Sequence, residues 1–165
     1  MKKIAILLSV FITILCIYSF KPSNDEVKWM NFNEGYSLAK KKNKIMLVDV
    51  YTEWCGWCKR MDKDTYAKPS IATELNKNYV SVKFNPEVTG ITYTYNGKTY
   101  DGPGLAGAIS NNSISGYPTT VFINPTSHNT KIEVGYKNES DMSVILVDIQ
   151  KALAGGIKGK KKNKS

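Results

Sequence analysis

Histidine occurs once and cysteine three times in the 165 residues of the chain. A disulfide-stapled miniprotein needs more cysteines than that, so the class is excluded. A closed zinc site fares no better. Cys16 lies in an apolar leader, which leaves Cys55, Cys58 and His128, one ligand short of a tetrahedral set. No metal ligand is expected. Excess charge is scarce too once it is mapped. The formal net charge is +9, yet Lys2 and Lys3 sit at the N-terminus and Lys158, Lys160, Lys161, Lys162 and Lys164 crowd the C-terminus. Setting those seven aside leaves 16 of the 23 basic residues against 14 acidic ones, so no nucleic-acid partner is expected. Internal repeats are absent. With 42% hydrophobic and 22% charged residues, the chain has the means for one ordinary globular domain, and disorder over most of its length is excluded.

Two segments stand apart from that domain. Residues 1–20, MKKIAILLSVFITILCIYSF, place two lysines ahead of an apolar run from Ile4 to Phe20. That is the arrangement of an export signal, and the run also reaches the short end of the spanning range. Small residues before a cleavage point are poorly represented, since Ser19 is small and Ile17 is not. A bulky Leu15 ahead of Cys16 disfavours lipid attachment there. The segment reads as a signal peptide or an N-terminal membrane anchor, and residues 21–31 as a linker. The two lysines favour a body outside the cytoplasm. At the other end, residues 155–165 read as a flexible basic tail, either a solvated extension or an electrostatic contact with anionic lipid.

Between these segments, Phe32–Lys42 reads as a helix capped near Asn31 or Asn33, with Phe32, Tyr36, Leu38 and Ala39 inward. Ile45 to Tyr51 is an apolar run suited to a strand covered on both faces, and Asp49 breaks it conspicuously. A helix is expected from Gly56 to about Ala67, ending before Pro69, and a short one from Ser70 to Asn76. Tyr79–Phe84 reads as a strand. Ile91–Tyr95 and Lys98–Tyr100, joined by Asn96-Gly97, read as a hairpin with a type I′ turn. Pro103–Ser110 suits a short helix, and Thr119–Ile123 and Lys131–Tyr136 suit two more strands. Ser140–Ala154 carries Met142, Ile145, Leu146, Ile149 and Leu153 at helical spacing and is expected to close at Gly155. Strands alternating with helices, then a late strand pair and a helix, predict an α/β sheet with helices on both faces.

The chemistry gathers at Trp54-Cys55-Gly56-Trp57-Cys58-Lys59, where the first strand gives way to a helix. Cysteines at this spacing can close a small disulfide ring. Cys55 faces unpaired backbone N–H groups and the positive end of the helix dipole, so it is expected to be the low-pKa attacking sulfur. Cys58, one turn in, is expected to be less exposed and to resolve the mixed disulfide. Lys59 adds a positive charge where haem attachment would need a histidine. Asp49, a carboxylate in an apolar strand, is expected to have its pKa raised by desolvation. The competing reading points its side chain to solvent at the sheet edge.

At these residues the chain resembles a known family. Val48 to Lys59 is similar to the active-site segment of the thioredoxin superfamily, and Ser115-Gly116-Tyr117-Pro118-Thr119 resembles its cis-proline loop. Gly135 falls where the family carries a glycine after the last hairpin strand. The likeness covers about Phe32 to Leu153. It is nearest to exported thioredoxin-like proteins and to the thiol-reducing domain of bacterial transmembrane disulfide reductases. It implies a thioredoxin-like fold over residues 32–154, a central mixed sheet flanked by helices, with a β-hairpin inserted before the cis-proline loop. By the same resemblance, the Cys55–Cys58 disulfide is redox-active and no other cofactor is needed. Asp49 is the buried carboxylate that relays a proton to or from Cys58, and Lys83 is its partner. Pro118 would be cis and lie against the active site. Trp54, Gly56, Trp57, Tyr117 and Thr119 would form the substrate-binding surface, with the Tyr117 backbone offering strand-like hydrogen bonds.

Two departures from the family pattern matter. Reducing members usually carry Gly-Pro between the cysteines, where this chain has Gly56-Trp57. Strongly oxidising or isomerising members tend to have a histidine there, and none is present, so reduction is the expected direction. The stretch from Asn85 to Pro118 is longer than the usual connection. Its hairpin is either a partner-selecting insertion or surface decoration. The expected function is thiol–disulfide exchange on protein disulfides, either in the periplasm or from a membrane anchor facing it. The expected partners are client proteins and a thiol-donating membrane or exported reductase, with the chain itself a monomer. The alternative is a non-catalytic binding or adaptor module whose disulfide is structural.

Overall fold

The computed structural model describes residues 25–158. The expected leader over 1–20, the start of the linker and the tail beyond Lys158 lie outside the described residues. Among the described residues no helix is long and apolar enough to cross a membrane.

Helix α1 spans Phe32–Lys42. Of the two candidate caps Asn31 serves, its side chain accepting from the Glu34 N–H at 3.0 Å. Asn33 ties the helix to the hairpin instead, donating to Thr92 O at 3.0 Å and accepting from Thr94 N at 2.9 Å. Asn43, at φ 51°, turns the chain into strand β1, Ile45–Val50, whose six residues are all buried. β1 occupies an inner position in a four-stranded sheet ordered β2-β1-β5-β6, where β2 is Tyr79–Phe84, β5 is Thr119–Ile123 and β6 is Thr130–Val134. β2 runs parallel to β1, β5 antiparallel to β1, and β6 antiparallel to β5. The sheet is therefore mixed, as expected. β6 ends before the expected Tyr136 because Gly135, at φ 84°, turns the chain out of the sheet.

Helix α2 covers only Gly56–Met61. The single helix expected to reach Ala67 is broken. It widens into a π-helical turn over Asp62–Tyr66, closed by the Ala67 N–H on Asp62 O at 2.9 Å. Pro69 does not merely end the preceding helix; it opens α3, Pro69–Asn78, in the first turn, where its missing N–H leaves no bond unmade. The expected hairpin forms from β3, Tyr93–Tyr95, which starts two residues later than the expected Ile91, and β4, Lys98–Tyr100, with Asn96 at φ 49° and Gly97 at φ 76°. Helix α4, Gly102–Ser110, follows, capped by Asp101. Helix α5, Glu139–Lys158, does not stop at Gly155 but continues through the glycine pair. Residues 155–158, read as tail, belong to that helix.

Strand alternation divides the core into two. Met46, Val48 and Val50 face α1, α4 and the hairpin, packing with Phe32, Tyr36, Tyr93, Tyr95, Leu105 and Ile109. Ile45 and Leu47 face the other way, packing with Met61, Tyr66, Leu75, Phe122, Met142 and Leu146. Asp49 continues that second row. Its cross-strand neighbours are Lys83 on β2 and Thr120 on β5. The chain ahead of α1, read as linker, is joined to the sheet: Met30 bridges to Val82, donating to Ser81 O at 3.0 Å and accepting from the Lys83 N–H at 3.1 Å.

Candidate active site

The cysteines sit where β1 hands over to α2. Cys55 is the N-cap residue of α2, with extended backbone at φ −74° and ψ 102°, and its sulfur accepts from the Cys58 N–H at 3.0 Å. A sulfur at this position meets the unpaired N–H groups and the positive end of the helix, which favour its thiolate form. The two residues are joined as a disulfide with Cα atoms 5.3 Å apart. Cys58 is 2% exposed and Cys55 4%, so in the disulfide form both are buried and the expected contrast in exposure is small. A Cβ added at Gly56 would meet nothing within 4 Å, so open space lies above the ring.

Beneath α2, Asp49 is 2% exposed on the sheet face shared with Met61 and Tyr66, which excludes the solvent-edge reading. Its Oδ2 accepts from Lys83 Nζ at 2.6 Å, while Oδ1 has no hydrogen-bond partner in the protein. Burial pushes its carboxyl up from 3.8 to about 6, against the downward pull of Lys83 and with a smaller upward push from Asp62. Lys83 also binds Asp62, on the π-helical turn. Burial alone would lower the Lys83 pKa, but the two carboxylates overcome it and the net direction is up. The ammonium is ringed by Trp29, Tyr51 and Tyr66 at 4.9, 5.0 and 5.6 Å from their centroids.

The rim is aromatic. Trp54 is 69% exposed and Trp57 55%, large apolar surfaces on either side of Cys55. Trp54 packs edge-on against Tyr117 at 5.8 Å, and its Nε1 donates to both Glu87 oxygens at 3.0 and 3.1 Å. Trp57 lies 5.6 Å from Tyr136, and the Arg60 guanidinium sits against both rings at 5.2 and 5.6 Å. The Tyr117–Pro118 peptide is cis. Thr119 Oγ1 donates to Gly116 O at 2.7 Å, and the Gly135 N–H donates to Pro118 O at 2.8 Å, fixing the proline turn to the end of β6. Gly135 makes that contact at φ 84°, a conformation costly for any residue with a Cβ.

The family described as Thioredox_DsbH, a protein of unknown function (DUF255), matches residues 12–155. The chain belongs to this family. Among its relatives, an uncharacterized Caenorhabditis elegans protein is 27% identical over 116 residues, which is 67% of this chain but 14% of that protein. The match thus takes in about a seventh of that relative's length. A thioredoxin from Thermus thermophilus superposes with a TM-score of 0.59 at 17% identity, covering 85% of this chain and 98% of that one. A structure named DsbH Oxidoreductase gives a TM-score of 0.55 at 13% identity, covering 81% and 90%. At such identities the likeness establishes the fold, which is that of thioredoxin. On that fold this Thioredox_DsbH member carries a CxxC disulfide at a helix start.

Sequence reasoning named the two cysteines, Asp49, Lys83, Trp54, Gly56, Trp57, Tyr117, Pro118 and Thr119, and the fold brings them to one end of the sheet. Thr119, however, is fully buried with its hydroxyl on Gly116 O, so it lies beneath the expected binding surface and not on it. It missed Asp62, Glu87, Arg60 and Tyr136. Asp62 had a signal: it lies one helical turn beyond Cys58, on the same face of the chain. Glu87 had none, because its role depends on where the turn after β2 lands against Trp54.

Proposed function

We propose that this thioredoxin-fold protein reduces protein disulfides outside the cytoplasm. The observation that carries the reading is the Cys55–Cys58 pair itself: a sulfur capping a helix, a second sulfur one turn in, and a buried carboxylate on the sheet face beneath that helix. In the dithiol form the Cys55 thiolate attacks one sulfur of a client disulfide. The other client sulfur leaves as a thiolate, and a mixed disulfide forms. Asp49 accepts the Cys58 proton, and the Cys58 thiolate attacks the Cys55 sulfur. The remaining client sulfur leaves and is protonated, the Cys55–Cys58 disulfide closes, and two electrons have passed to the client. A thiol-donating membrane or exported reductase returns them. The client strand lies against the Tyr117 backbone by the cis-proline turn, flanked by Trp54 and Trp57 and passing over the open space at Gly56. Residues 1–20 supply export or a membrane anchor, which places the body in the periplasm, and the protein works as a monomer. Gly56-Trp57, with no histidine between the sulfurs, supports the reducing direction.

Trapping tests the division of labour. Cys58→Ser should accumulate mixed disulfides with client proteins, and Cys55→Ser almost none. Equal trapping by the two variants overturns the assignment of attacker and resolver. If the purified protein neither reduces insulin with dithiothreitol nor exchanges with a glutathione buffer, the adaptor reading replaces this one. Direction is read from the potential: about −270 mV marks a reductant and about −120 mV an oxidant.

A further inference from the structure

The insertion between β2 and β5 builds a groove that the mechanism above leaves unused. It encloses about 310 Å³ between the turn after β2, helix α4 and the cis-proline turn, with Pro86, Glu87, Pro103, Gly107, Ile114 and Tyr117 among its walls. Trp54 connects it to the cysteines, touching Tyr117 with its ring and Glu87 with its Nε1 hydrogen. A client chain lying over Cys55 therefore has this groove at its flank. Glu87 is the one carboxylate among the lining residues, and no lysine or arginine lines it. A carboxylate offers about four acceptor positions, so the single indole hydrogen leaves room for a second donor. Two prolines, Ile114 and the Tyr117 ring suit the carbon stem of a long basic side chain, which buries its methylenes and keeps its head on a polar partner. The Tyr117 ring adds attraction for a cation.

We propose that this groove is the subsite for a lysine or arginine side chain flanking the client's disulfide cysteine, so that basic client segments are the preferred substrates. The proposal rests on the disulfide-reducing reading above and deepens it. Glu87 acts here on specificity, through charge placed beside the bound chain, and salt should weaken the preference.

The test uses the full chain in its dithiol form and fluorogenic disulfide peptides of otherwise identical sequence. Each carries Lys, Gln or Glu at one of the two positions on either side of the cysteine. At one or more positions the Lys peptide should be reduced about fivefold faster than the Glu peptide at low salt, as expected for attraction of one sign and repulsion of the other at an exposed carboxylate. Glu87→Gln keeps an oxygen for Trp54 and removes the charge, so the Lys-to-Glu ratio should fall towards one; Glu87→Lys should invert it. Gly107→Leu fills the groove from α4, where an added Cβ meets only the end of the Asn112 side chain. It should slow the Lys peptide more than the Gln peptide. Equal rates for all three peptides, or a preference that survives Glu87→Gln, overturn the subsite and leave disulfide reduction standing. Reduction of none of the peptides overturns both readings together.

Discussion

Asp49→Asn exchanges a buried acid for an amide of nearly the same shape, so its main effect is to delete an ionisation. In the folded protein burial holds the Asp49 carboxyl up near 6, against 3.8 for an unburied aspartate. A group whose folded pKa is raised stabilises the fold in its protonated form. That contribution is complete below the unfolded value and is lost as the pH rises through about 6. At about 1.4 kcal/mol per unit, the gap between 3.8 and about 6 is worth roughly 3 kcal/mol. Asparagine does not ionise, so the variant lacks this loss. Its stability relative to the wild type should therefore climb by roughly 2–3 kcal/mol from about pH 4 to about pH 7.5, whatever constant offset the amide brings through Lys83. Urea melts of both disulfide forms across that range measure the climb directly. The same substitution removes the acceptor for the Cys58 proton. Release of the mixed disulfide near neutral pH should slow by about 100-fold, while the first attack by Cys55, favoured by the helix start, changes much less. Stopped-flow traces separate the two steps. Stability curves that stay parallel with pH, together with unchanged release, would remove Asp49 from the mechanism.

Lys83→Met deletes the cation that pulls the Asp49 pKa down. Its ionisation should then move above about 6, read in the same melts as a stability loss that extends to higher pH and grows larger. Gly102→Ala should destabilise by about 1–3 kcal/mol, since its Cβ would lie 2.1 Å from the Pro86 carbonyl oxygen and the turn must shift. That shift should also alter Trp54 fluorescence by moving Glu87; a variant that melts like the wild type with an unchanged spectrum contradicts the close approach.

The sequence announced some of this architecture and withheld the rest for physical reasons. β1 was legible because a strand covered on both faces must be apolar along its length, and Asp49 stood out against it. The hairpin was legible because Asn96-Gly97 tolerates the positive φ its turn demands. Both signals are local. The clamp of Asp49 and Asp62 on Lys83 is not: its Asp49 half, reached only through the family resemblance, depends on the β1–β2 register that sets Asp49 opposite Lys83, and its Asp62 half, which was missed, on the π-helical turn that carries Asp62. No periodicity reveals where a helix widens. Gly155 misled for a related reason, since a glycine stops a helix only where the chain turns away, and α5 runs on.

The Met30 bridge has a mechanical consequence. Pulling on the chain ahead of Asp25 loads its ties to α3, from Thr73 to Asp25 and between Asn76 and both Glu26 O and the Lys28 N–H, and then the short strap along β2 held by the Met30–Ser81 and Lys83–Met30 hydrogen bonds. Trp29, next in that strap, lies against the Lys83 ammonium and edge-on to Tyr66 at 4.9 Å. Peeling the strap would bare the outer edge of the sheet and admit water to the ion pair beneath α2, before any strand of the four-stranded sheet parted. A load on the N-terminal side that passes the ties of residues 25–28 to α3 thus reaches the buried acid through Trp29.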